Sequence, residues 1–175
     1  MAVMASVFDD TQRATLEALC DTFVPAVQSD TGDPVEREFL ARSAADLQVA
    51  AQIEGMLAEA MTPDEIAGVA GLLDALAEQG MAPDTPLEAR TQIVHGMRAA
   101  DPDAKLGLTQ VKGLTMLLFY GAPDANTGLN ANWEALGYPG PNSPAPSPEE
   151  APKTISLATV EGEQATLSCD VCVAG

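Results

Sequence analysis

A chain of 175 residues has room for one domain with a real core. Hydrophobic residues make up 46% of it but aromatics only 4%, so that core must be Leu, Val, Ile, Met and Ala, a mixture that favours helix over sheet. The formal charge of −18, from 26 acidic and 8 basic residues, argues against nucleic acid and anionic membranes as partners and reads as a solubility feature.

The chain opens on a short apolar stretch, Met1 to Val7, without the basic start and longer apolar centre of a signal peptide. The first helix is predicted from about Asp10 to Phe23, with Leu16, Leu19, Cys20 and Phe23 on one face and Pro25 beyond its end. Its start, Asp9-Asp10-Thr11-Gln12, has a cap acceptor with Gln12 three residues on. Asp33-Pro34-Val35-Glu36, Thr62-Pro63-Asp64-Glu65 and Thr85-Pro86-Leu87-Glu88 repeat the signal with proline at the first helical position, and Asp101-Pro102-Asp103 copies part of it.

A second helix is expected from Pro34 towards Asp46, burying Val35, Phe39 and Leu40. The third covers Val49 to Met61, with Val49, Ile53, Met56, Leu57 and Ala60 inward. The fourth opens at Pro63, carries Ile66, Val69, Leu72, Leu73 and Leu76, and closes at Gly80. The fifth uses Leu87, Ile93, Val94 and Met97. The sixth, Pro102 to about Tyr120, buries Leu106, Val111, Leu114, Leu117 and Leu118. Short capped connections place consecutive helices side by side.

The character then changes. Gly121 to Ala131 is a polar loop, and Asn132 is placed to cap a single turn through Trp133, Glu134 and Ala135. Gly137 to Pro152 is proline-dense and reads as extended chain, followed by two strands, Thr154 to Val160 and Ala165 to Ala174. The fold expected is mainly α: a bundle of about six helices, a proline-rich linker and two C-terminal strands. The predicted units are residues 1–131, a Trp/Gly/Pro-rich linker at 132–152, and 153–175.

Side chains of the types that carry chemistry are few. His95 is the only histidine, and its neighbours Ile93, Val94 and Met97 hold the apolar stripe, so it reads as solvent-facing. Cys169 and Cys172 would point to opposite faces of a strand, which suits neither bridging nor chelation. With Cys20 they read as reduced thiols of a cytoplasmic protein, although peripheral attachment of a larger parent to lipid stays open. Met56, Met61, Met97 and Met116 read as core, and Lys105 and Lys112 as isolated cations. Trp133 and Tyr138 read as residues that pin their loop to the helices. No residue is assigned a catalytic or metal-binding role. No apolar run approaches the roughly 20 residues of a membrane span.

The tail, Cys169-Asp170-Val171-Cys172-Val173-Ala174-Gly175, is a short apolar strand running into glycine. Such a strand precedes the glycine loop that seats a dinucleotide pyrophosphate at a helix N-terminus, which makes Gly175 the candidate first glycine of an incomplete FAD loop. An apolar strand without neighbours would expose unpaired backbone, which points to a fragment of a longer chain.

Residues Thr15 to Pro25, reading TLEALCDTFVP, resemble the opening of long-chain alcohol oxidases and related glucose–methanol–choline oxidoreductases. Phe39 to Ala44, Leu117 to Gly121 and Asn132 to Pro141 resemble further segments of the same helical domain, in the same order, and the tail resembles the strand that leads into the family's FAD-binding glycine loop. The chain is also similar to subunit 3 of gluconate 2-dehydrogenase, a small helical protein. The resemblance implies FAD in a full-length parent that oxidises an alcohol by hydride transfer to flavin. It implies no cofactor for this chain alone, which is expected to be inactive. Three readings follow: an accessory domain joined in cis to an FAD-binding catalytic domain, a small subunit docking a flavoprotein in trans, or a helical binding module without a redox role.

Overall fold

The first helix, α1 (Asp10–Phe23), lies at the centre of the fold. Thr15, Leu16, Ala18, Leu19 and Cys20 are all buried, which covers more of its circumference than a one-sided helix would hide. It packs against four later helices: α3 (Val49–Ala60), α4 (Pro63–Glu78), α5 (Leu87–Ala100) and α6 (Pro102–Met116). A short α2 (Pro34–Ala41) lies between α1 and α3 in the chain, and α6 runs on into a π-helical turn, Leu117–Gly121. This computed structural model describes residues 6–124 and 127–140. The two strands, most of the linker, Cys169, Cys172 and Gly175 fall outside the described residues.

The core is aliphatic, as the composition requires. Leu16, Leu19, Val49, Ile53, Leu73, Leu76 and Leu108 are buried, with Phe119 the one large aromatic among the fully buried side chains. Each such side chain contributes about 1.5–3 kcal/mol on removal from water. Phe8 and Met81, which the periodicity leaves outside any helix, join the same core. The N-terminal segment is held by Glu54, whose carboxylate accepts from Ser6 Oγ at 2.7 Å and from the backbone N–H groups of Val7 and Phe8.

Two of the predicted capping boxes form in full, Asp9 with Gln12 and Thr62 with Glu65. The Asp33 and Asp101 carboxylates accept from backbone N–H groups of their first turns. At Thr85 the box fails: its hydroxyl donates to the Gly80 carbonyl at 2.8 Å, and Pro86 takes the cap position without a side-chain bond. The tight turn after α4 claims the hydroxyl before the helix can.

The second helix is shorter than expected and ends at Ala41. Residues 42 and 43 leave the helix and 44–48 form turns instead, because other partners satisfy their backbone. Asp21 of α1 accepts from the Ala45 N–H at 2.9 Å, Asp46 accepts from the Ser43 N–H, and the Val24 carbonyl accepts from the Ala44 N–H. Gln48 adopts a left-handed φ of 52° to launch α3. Val35, expected to be buried, is exposed, while Phe39 and Leu40 are half-buried.

Several other residues expected inside face outward: Met56, Ala60, Leu87, Leu106 and Leu117. Leu106 and Leu117 are the largest departures, at 59% and 52% exposed. Both belong to one groove.

Candidate functional site

The end of α6 sets the geometry of the first surface. After Met116 the helix widens, and the Ala122 N–H bonds to the Leu117 carbonyl five residues back at 2.7 Å. Carbonyls at a helix end need outside donors. Three residues of the following loop supply them. Asn130 Nδ2 donates to the Leu118 and Ala122 carbonyls at 3.3 and 2.7 Å, and Asn132 Nδ2 to the Phe119 carbonyl at 2.6 Å. Trp133 Nε1 donates to the Tyr120 carbonyl at 3.2 Å.

The donors are themselves held. Asn130 Oδ1 accepts from the Asn132 N–H at 2.8 Å, and Asn132 Oδ1 accepts from Arg42 Nη1 at 2.6 Å. Arg42 also reaches the Ala131 carbonyl and pairs with Glu38. The Trp133 ring meets Tyr138 edge-on at 5.0 Å, and Gly140, at φ +88°, lies where a Cβ would come within 3.5 Å of that ring. Trp133 therefore does pin the loop. Asn132 starts the turn by its backbone carbonyl, which accepts from the Leu136 N–H, while its side chain serves the π turn and not the cap. The clasp fixes an outer face on which Leu129, Leu136 and Tyr138 stand exposed.

A second surface is the groove between α4 and α6, with a volume of about 890 Å³. Val69 and Leu72 form one wall, and Leu106, Leu114 and Leu117 the other. The charged residues along it are Glu65, Asp101 and Asp103, all acidic.

Neither surface gathers groups for bond chemistry. His95 is exposed on α5, away from both. Cys20 is buried, and desolvation pushes its thiol from 9.0 up to about 11 against a lowering from the Thr115 hydroxyl. Thr115 Oγ1 lies 3.4 Å from that sulfur. A thiol with so high a pKa is an inert core residue. Among the described residues no group of three or more His, Cys, Asp or Glu side chains is placed to hold a metal. Met61, Met97 and Met116 are half-buried core, whereas Met56 is exposed; Lys105 and Lys112 are exposed. No helix among the described residues is long and apolar enough to cross a membrane. Sequence reading missed Arg42 and Asn130; the Asn-x-Asn-Trp spacing after a helix was the one signal for the clasp.

The α1–α6 bundle and the clasped loop lie together within residues 10–140, and this whole stretch matches the family model described as gluconate 2-dehydrogenase subunit 3. The chain belongs to the gluconate 2-dehydrogenase subunit 3 family. No curated protein matches it, and no solved structure does. For this subunit 3 family member, the match takes in α1 with its TLEALCDTFVP segment, the Arg42 turn and the Asn130–Asn132–Trp133 clasp.

Proposed function

We propose that this chain is a small helical subunit that docks a flavoprotein dehydrogenase acting on an alcohol CH–OH group. The observation that carries the reading is the family match over residues 10–140, which takes in the whole described bundle and its clasped loop. The described residues are helices and loops, without a strand running into a glycine loop, the cradle in which a dinucleotide pyrophosphate sits. The flavin and the hydride chemistry are assigned to the partner. The small subunit supplies surface: a rigid loop face at Leu129, Leu136 and Tyr138, and an apolar groove. Exposed apolar patches of this kind on a soluble bundle mark interaction sites.

The resemblance of residues 15–25 and 132–141 to the helical domain of glucose–methanol–choline oxidoreductases supports a flavin-dependent partner. It also supports a second form of the same reading, in which the flavoprotein is joined in cis beyond Gly175.

The test is purification of the tagged full chain from its native host, with flavin absorbance and substrate-dependent flavin reduction followed through the preparation. A flavoprotein that co-elutes in fixed ratio is the expected result. A folded chain that brings no flavin-containing protein with it overturns the proposal.

A further inference from the structure

The groove between α4 and α6 carries features that the free bundle does not explain. Gly68 and Gly71 in α4 and Gly107 and Gly113 in α6 all border it. Glycine inside a helix costs about 0.5–1 kcal/mol relative to alanine. At Gly107 internal packing accounts for the choice, since a Cβ would come within 2.8 Å of Leu72 Cδ2. At Gly68, Gly71 and Gly113 a Cβ would meet nothing within 4 Å. Leu106 and Leu117 beside them are more than half exposed. Bare backbone next to exposed leucines is what a closely approaching helix needs, because interaxial distance is set by the side chains at the contact.

Charge narrows the occupant. The charged side chains bordering the groove are Glu65, Asp101 and Asp103, and the chain as a whole carries −18. A second copy of this chain would meet its own sign of charge there. A partner with an apolar stripe flanked by Lys or Arg would meet the opposite one.

We infer that the α4–α6 groove is the seat of a helix of the flavoprotein partner, one with an apolar face and basic flanks. The inference rests on the proposed subunit role. Part of the on-rate then comes from the acidic rim, and the tightness from the apolar floor.

The test uses the tagged full chain, purified from its native host. The substitutions are Gly71→Leu and Leu106→Glu in the groove, with Gly96→Leu as an off-groove control. Gly96 also has open space around a would-be Cβ. Leucine is a better helix former than glycine, so both glycine variants should melt no lower than wild type. The groove variants should lose about tenfold or more of the co-purifying flavin per chain, the size of a hot-spot substitution, while the control keeps it. A photo-crosslinker at position 106 should mark an apolar helix with neighbouring Lys or Arg.

If the flavoprotein stays bound to both groove variants, the groove assignment fails and the subunit role stands. If wild type brings down no flavoprotein, the subunit role fails and the groove assignment goes with it. A crosslink to a second copy of this chain, or to an acidic segment, also overturns the assignment.

Discussion

Asn132 and Phe119 are joined by one of the shortest bonds of the fold, side-chain amide to backbone carbonyl at 2.6 Å, with both residues buried. The same amide group, through its oxygen, holds the Arg42 guanidinium at 2.6 Å. One side chain therefore connects the end of α6 to the turn after α2. Asn132→Ala leaves the Phe119 carbonyl buried without its donor and costs about 2–4 kcal/mol, more than one neutral hydrogen bond, because two partners lose it at once. Asn132→Asp keeps the Arg42 contact as an ion pair but loses the donor to the Phe119 carbonyl, and it too should be less stable than wild type. Chemical denaturation of the three proteins measures both.

Arg90 is 8% exposed and donates from Nη1 to the Ala18 carbonyl at 3.0 Å, tying α5 to α1. Its Nε finds no protein partner. Packing of the long stem should outweigh the single bond. Arg90→Ala is expected to cost about 2–3 kcal/mol and Arg90→Met less than about 1 kcal/mol. Equal losses in thermal unfolding would show that the guanidinium, not the stem, is what α1 requires.

Glu65 is held below its ordinary value of 4.5, first by the Thr62 backbone N–H and then by the Thr62 hydroxyl. A carboxylate with a lowered folded-state pKa stabilises fully above its unfolded value, and the stabilisation fades as pH falls through the folded one. Glu65→Gln keeps a capping side chain but not the charge. Wild type should therefore be the more stable of the two at neutral pH, and their stabilities should converge as the pH drops below 4.5. A gap that stays constant with pH would remove Glu65 ionisation from the account of the α4 cap.

With its pKa near 11, the Cys20 thiol is ionised in about one molecule per thousand at pH 8. Iodoacetamide at that pH should leave the Cys20 peptide unmodified in the native protein and alkylate it in denaturant, as read by peptide mass mapping. Rapid native alkylation would mean that α1 opens locally around Thr115.

What could be read from sequence followed the range of the interactions involved. The starts of α1 and α4 were legible because their capping boxes are complete within four residues. The end of α2 was not, because Asp21 of α1 and Val24 at its C-terminal cap decide it from about twenty residues away in the chain. Leu106 and Leu117 were read as interior because helical spacing reports an apolar stripe and not what covers it. The clasp was half legible: Trp133 reads as an anchor from its type alone, whereas the role of Arg42 depends on Glu38, Ala131 and Asn132 coming together in the fold.

A π turn is an α-helix with one residue too many. Removing any single residue between Leu117 and Gly121 would rewind it and swing everything downstream by about 100°. Asn130, Asn132 and Trp133 would then face the wrong carbonyls with their side chains unaltered. Here the chain is sensitive to its length more than to its spelling. Natural variants that drop the extra residue should be found to have dropped the two asparagines as well.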